Sequence, residues 1–282
     1  MITLKLIKRT IALISALLMF LSNSANTFFN GDIYPYESNT KVVGFETFAR
    51  SQGVATDGKS WIFSGKGAII RTSLDGNDNL AFNFSPFKGL EHLGVDHVGG
   101  ISCKDGVLLV SMEDSDIWQN PTVAVFDAET LKFTGRYHTF SNELLTEGLP
   151  WVAFYGDNFI CANWSDTDRL YLFSFKDFSL IKEIPLEIML DSIQGGEVWN
   201  DTLYVGTDDS TRAVYKIDLN NGGVTKLFDR IKYQPQLIDN FGGEGEGLTV
   251  FPMSDGTFIH ALDVGALFYD SNLRHYKIDS IN

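Results

Sequence analysis

Residues 69–75 read IIRTSLD, and segments of the same kind recur as VAVFD at 123–127, LYLFSF at 170–175, VYKID at 214–218 and HYKID at 275–279. Runs rich in Val, Ile, Tyr and Phe, broken by polar residues, read as short strands. Each comes third in a series. The first strands are QGVATD from Gln52, GGISCK from Gly99, PWVAFY from Pro150, QGGEVW from Gln194 and EGLTVF from Glu246. The second are SWIFSG from Ser60, VLLVSM from Val107, NFICAN from Asn158, TLYVGT from Thr202 and TFIHAL from Thr257. A fourth strand follows in the first four units, starting at Asn79, Phe133, Phe178 and Val224.

Units starting at 52, 99, 150, 194 and 246 are 44 to 52 residues apart. Four short strands per unit at that period is the signature of β-propeller blades. No long 3.6-residue periodicity interrupts residues 26–282, so the fold class is all-β. The fifth unit lacks a fourth strand, while residues 41–48 (KVVGFETF) form an orphan strand ahead of the first unit. The expectation is a five-bladed β-propeller over 41–282, with the N-terminal strand completing the last blade and leaving no edge exposed. A β-sandwich is the alternative, but it requires no such period.

Ahead of the propeller, Lys5, Lys8 and Arg9 precede an apolar run at 11–21 and small polar residues at 22–25. That order is the pattern of a secretory signal peptide over 1–25, with an uncleaved anchor as the alternative. The expected location is secreted or periplasmic, with 26–40 as a polar lead-in. Cys103 and Cys161 fall at unmatched strand positions and are expected as free thiols. Asn83, Asn163 and Asn200 lie in N-x-S/T sequons.

The chain carries 22 Lys and Arg against 36 Asp and Glu, a net charge of −14. Such a surface argues against nucleic acids and anionic membranes as partners, and favours cationic ligands or metal ions. The expected partner is a small-molecule or carbohydrate-like ligand, with a monomer as the default state.

If the first strands line the channel, their starts and the loops between second and third strands open on one face. That rim gathers Gln52, His97, Trp151, Gln194, Glu244 and Glu246, joined by Glu113, Asp114, Asp116, Asp166, Asp168, Asp208, Asp209, Asp263 and Asp270. One reading is a hard-cation site in which Glu246, Gln52 and Gln194 hold Ca²⁺. The other is that loops are polar because they are wet. Glu246 and His97 are the candidate general acid and base, and Gln52, Trp151, Gln194 and Glu244 the candidate ligand contacts. Trp151 could stack on a ring or plug the channel. The glycines of GGEGEG at 242–247 read as tight turns, since two Glu would repel phosphate and no P-loop Lys follows. His138, His260 and His275 fall within strands and are expected to be structural. No G-x-S-x-G elbow is present.

The segments QGVATDGKSW at 52–61, GGEGEGLTV at 242–250 and VYKIDLNNG at 214–222 resemble a broad group of secreted propellers. It comprises the SMP-30/strictosidine-synthase-like lactonases, NHL-type proteins and propeller glutaminyl cyclases. The resemblance spans about 41–282. The lactonases hold channel Ca²⁺ through Glu, Asn and Asp, and Glu246 matches such a Glu. The cyclases are five-bladed and start blades with Q-G and E-G, as at Gln52, Gln194 and Glu246, whereas Gly99 and Pro150 start blades differently. The resemblance thus implies a metal-assisted hydrolase or lactonase, or a glutaminyl cyclase. A protein-interaction scaffold with an inert channel stands beside these, because propellers host all three roles.

Overall fold

The computed structural model describes residues 9–21, 34–231 and 243–278. Strand β1 (Ser38–Val43) precedes blade one, formed by β2 (Val54–Thr56), β3 (Ser60–Gly65), β4 (Ala68–Ser73) and β5 (Asn79–Asn83). Blade two holds β6 (His97–Lys104), β7 (Val107–Glu113), β8 (Thr122–Asp127) and β9 (Phe133–Thr139). Blade three holds β10 (Val152–Tyr155), β11 (Asn158–Cys161), β12 (Thr167–Ser174) and β13 (Leu180–Leu190). Blade four holds β14 (Ile193–Trp199), β15 (Thr202–Thr207), β16 (Ala213–Asp218) and β17 (Val224–Asp229). Blade five is β18 (Glu244–Val250), β19 (Ile259–Val264) and β20 (Asp270–Tyr276), completed by β1. The five antiparallel sheets form the expected five-bladed propeller, with β2, β6, β10, β14 and β18 innermost.

Closure by the N-terminal strand holds, with shifted limits. The register runs from Ser38 opposite His275 to Val43 opposite Asp270, and Lys41 Nζ lies 2.6 Å from Asp270 Oδ2. The expected strand at 41–48 ends at Val43, because Gly44 turns the chain at φ 87° and Phe45–Ala49 forms a 3-10 turn. The lead-in at 26–40 therefore overlaps β1. The last third strand is Asp270–Tyr276 rather than 275–279; its polar first half, DSN, hid it. Asp279 lies outside the described residues, as do 1–8 and 22–25 of the segment 1–25. Residues 9–21 are helical, and among the described residues no helix is long and apolar enough to cross a membrane.

Every middle strand is buried on both faces, so its apolar run is nearly continuous although side chains still alternate. In β7, Leu108, Val110 and Met112 pack toward blade one, while Leu109 packs toward blade three. Five hydrophobic clusters result, one in each gap between blades. The gap between blades five and one is the most polar. There Trp61 packs edge-on to His260, whose Nδ1 lies 2.8 Å from His275 Nδ1. Those two histidines are structural, as expected, and His138 stacks on Phe178. Cys103 and Cys161 are both free.

Candidate functional site: the channel mouth

The inner strands converge so tightly that only glycine fits at four of the five blades. A Cβ on Gly247 would stand 2.6 Å from Val54 N, and one on Gly195 2.5 Å from Leu248 N. On Gly53 it would stand 2.9 Å from Gly100 Cα, and on Gly100 2.8 Å from Trp151 Cβ. Gly247 N also donates to Gln52 O at 2.7 Å, tying blade five to blade one. The glycines after the blade starts thus serve close approach between strands. Among the described glycines of 242–247 the turn reading fits Gly243, at φ 81°. In blade three Trp151 takes the glycine's place. It is fully buried, closes the waist, and leaves its Nε1 without a hydrogen-bond partner. Trp151 therefore plugs the channel and does not face the rim.

Above the waist, four predicted site residues meet. His97, the first residue of β6, stands in register with Glu113, the last of β7. His97 Nε2 lies 2.7 Å from Gln52 Oε1, and Gln52 Nε2 donates to Glu246 Oε1 at 3.4 Å. Glu246 is in turn hydrogen-bonded to Glu244. Because the Gln52 amide donates to Glu246, its oxygen accepts from His97 Nε2–H. His97 Nδ1 is then a bare lone pair, without a hydrogen-bond partner, 3.7 Å from Glu113 Oε1. Glu113 Oε2 accepts from Leu149 N–H at 2.6 Å. A chain of polar groups thus runs from blade two through blade one to blade five.

Burial dominates the electrostatics. It holds Glu246, 1% exposed, well above the usual carboxyl range, and the charges of Glu244 and Asp208 push the same way. Burial also raises Glu244, and takes Glu113 to about 7 against the Leu149 N–H that favours its anion. His97 falls to about 4 through burial and the positive charge of Lys66. At neutral pH His97 is a neutral imidazole beside a carboxyl whose burial favours its protonated form, which suits the chain to exchanging hydrogen bonds and protons.

Beside it lies a charge cluster that the sequence reading missed. Asp263 meets Arg230 Nη1 at 2.5 Å, Arg212 Nη1 at 3.6 Å and also Arg274 Nη1. Burial opposes its ionisation, yet Arg230, Arg274 and Arg212 together hold its pKa below the ordinary value. Asp208 accepts from Gly245 N–H at 2.5 Å and lies 3.5 Å from Arg212 Nε; burial lifts it to about 7. Nothing local in the sequence marks these arginines, since Arg212 and Arg230 lie outside any strand and Arg274 looks like a surface residue of β20.

The predicted rim residues are not all brought together. Gln194 sits at a bulge between Ile193 and Gly195, half-buried, with no hydrogen bond to Gln52 or Glu246. Among the described residues, no three His, Cys, Asp or Glu side chains gather as a metal ion would require. Gln52 and Glu246 offer few of the six or more oxygens that Ca²⁺ takes, and burial works against the Glu246 anion. Asp168 pairs with the adjacent Arg169. A cavity of about 640 Å³ opens over the chain, floored by Gln52, His97, Lys66 and Glu244, with Phe48 and Tyr269 on its walls. Ser15 and Leu18 of the helical residues 9–21 also border it.

No family model and no curated protein matches this sequence. Solved structures do. The crystal structure of Myxococcus xanthus glutaminyl cyclase superposes with a TM-score of 0.59 at 16% identity, covering 87% of this chain and 97% of that one. Kuenenia stuttgartiensis hydrazine synthase gives a TM-score of 0.45 at 14% identity, covering 81% of this chain and 59% of that one. At 16% identity the likeness to the Myxococcus xanthus structure is one of fold: the chain is a five-bladed β-propeller.

Proposed function

We propose that the channel mouth binds a small molecule with an apolar body and a polar head that donates hydrogen bonds. One observation carries this: His97, Gln52 and Glu244 lie with Lys66 at the floor of an apolar-walled cavity, and the hydrogen bonds of His97 and Gln52 continue to the buried Glu246 behind it. Apolar walls with a few convergent polar groups are the usual design of a small-molecule site. The head would meet the side-chain oxygen of Gln52 and the carboxyl of Glu244, while Phe48 and Tyr269 cover the body. A divalent cation would enter only against the burial that raises both Glu244 and Glu246.

The second reading is catalytic, favoured by the shape shared with a glutaminyl cyclase and by the Q-G and E-G starts. A substrate amine would attack its own carboxamide carbon. His97 would take the amine proton, and a Glu246 or Glu244 carboxyl would return one to the departing nitrogen, releasing ammonia.

Three measurements separate these readings. Benzamide, a carboxamide on an apolar ring, should bind in ligand-observed NMR and weaken about tenfold in Gln52→Leu. Equal binding by both proteins would sink the mouth site. Ammonia release from a peptide with N-terminal Gln, lost in His97→Leu, would establish the catalytic reading. Calorimetric titration of Ca²⁺ into wild type and Glu246→Gln tests the cation, and no heat in either removes it.

A further inference from the structure

Below the waist the channel reopens. The turn side of the propeller encloses a cavity of about 1060 Å³, larger than the one at the mouth and separated from it by Trp151 and the glycine collar. At its floor stands Glu197, on inner strand β14, reaching across the axis. Ser102 Oγ of β6 lies 3.1 and 3.2 Å from the two Glu197 carboxyl oxygens. The Ser102 hydroxyl accepts from Phe154 N–H at 3.0 Å, which leaves its own proton for Glu197. Thr249 of β18 and the Glu197 side chain share a further hydrogen bond, and Val198 N–H donates to Glu197 Oε1 at 3.3 Å.

Three donors from three blades therefore address one carboxyl, an arrangement that favours the ionised form. The counter-charge is missing. Among the described residues no Lys, Arg or His pairs with Glu197. Of the three basic residues that line the cavity, Arg71 pairs with Asp57 at 3.2 Å and Lys104 with Gly156 O at 2.5 Å, and Lys59 makes no contact with Glu197. The contrast with Asp263, which meets three arginines, is direct. Without a cation, burial prevails over the three donors and pushes Glu197 to about 8. A carboxyl dressed for ionisation but lacking a cation is a costly feature in an inner strand.

The walls supply the rest. Trp199 lies two residues beyond Glu197 on the same face of β14, edge-on to Phe251 at 6.3 Å. Tyr155, whose hydroxyl donates to Asp201 at 2.9 Å, stands on the wall with Phe154. Aromatic faces around a carboxyl attract an organic cation by both charge and ring quadrupole. We propose that this lower vestibule is a binding site for an organic ammonium ion, held by Glu197 at the floor and by Trp199, Tyr155 and Phe251 on the walls.

The test titrates benzylammonium chloride into the full chain by calorimetry and by tryptophan fluorescence, with benzyl alcohol as the uncharged counterpart. Benzylammonium should bind, and benzyl alcohol should bind at least about tenfold more weakly, since the charge-assisted contact is lost. Glu197→Gln should cost about tenfold, and Trp199→Leu should also weaken binding; if one variant fails to fold, the other decides. Affinity should climb up to about tenfold per pH unit below the Glu197 pKa of about 8, with a proton released on binding. Gln52→Leu disturbs only the mouth, so benzylammonium binding that persists in Gln52→Leu and is weakened in Glu197→Gln belongs to the lower vestibule, and failure here is separate from failure of the mouth site. Absence of benzylammonium binding, equal affinity for benzyl alcohol, or full affinity in Glu197→Gln and Trp199→Leu overturns the proposal.

Discussion

Replacing Asp263 by alanine should destabilise this propeller more than any comparable change in surface charge. The carboxylate is 1% exposed and meets Arg230, 0% exposed, Arg212 and Arg274. A charge pair 4 Å apart is worth about 4 kcal/mol at an effective dielectric of 20, before desolvation is set against it. Removing one partner of a buried pair leaves the other charge uncompensated, at about 3–5 kcal/mol. The loss falls unequally. Arg212 keeps Asp208 at 3.5 Å, and Arg274 lies on the face of Tyr36. Among the described residues Arg230 keeps the carbonyls of Arg212, at 2.8 Å, and Thr207, at 3.1 Å, and the weaker field of Asp208. The net effect should be about 4 kcal/mol, a large part of the 5–15 kcal/mol that holds a typical domain together. Urea unfolding followed by tryptophan fluorescence should show the midpoint falling with an unchanged slope. Asp263→Asn keeps the shape and loses the charge, and should act in the same direction. Arg169→Ala, which breaks exposed contacts to Asp168 and Glu183, is the comparison and should leave the midpoint where it was. If Asp263→Ala shifts the midpoint no further than Arg169→Ala, the reasoning from burial is wrong.

Gly247→Ala should cost about 1–3 kcal/mol or more, because the new methyl meets the β2 backbone. Gly67→Ala, with open space around it, should be neutral in the same thermal melts. Stability should fall as pH rises from 6.5 to 8: Glu113 and Asp208 at about 7 and Glu197 at about 8 keep protons that the unfolded chain has released. Below pH 6.5, His97 and His260, both held at about 4, act oppositely, since the unfolded chain takes up protons there first. A melting temperature higher at pH 8 than at 6.5 contradicts this balance, and Glu113→Gln should flatten the slope. Deleting residues up to Val43 removes β1 and uncovers β20, all seven of whose residues are buried. The truncated chain should lose its cooperative transition, and a normal melt would refute closure by β1.

The ring itself was legible because it is periodic: a blade buries both faces only against its neighbours, so each unit repeats the same sequence of apolar runs and turns. The blade count, the innermost strands and the N-terminal closure all follow from that period. So does the meeting of Gln52, His97, Glu244 and Glu246, since equivalent positions of a ring converge on its axis. The limits of β1 and β20 did not follow, because the closing blade is unusually polar: DSN and RH in β20 are buried through contacts distant in sequence, with β1 and with Arg50.

What only the tertiary structure decided is where a polar side chain ends up once blades are packed. Trp151 and Gly247 occupy equivalent starts, yet one plugs the waist and the other exists to let strands touch. Asp263 and Glu197 are single carboxyls on strands of neighbouring blades; one draws three arginines from distant segments and the other draws none. Period and composition are sums over the chain, whereas burial and charge partnership depend on which residues meet across it. The architecture was therefore readable from the sequence, and the chemistry of the two ends of the channel came from the fold.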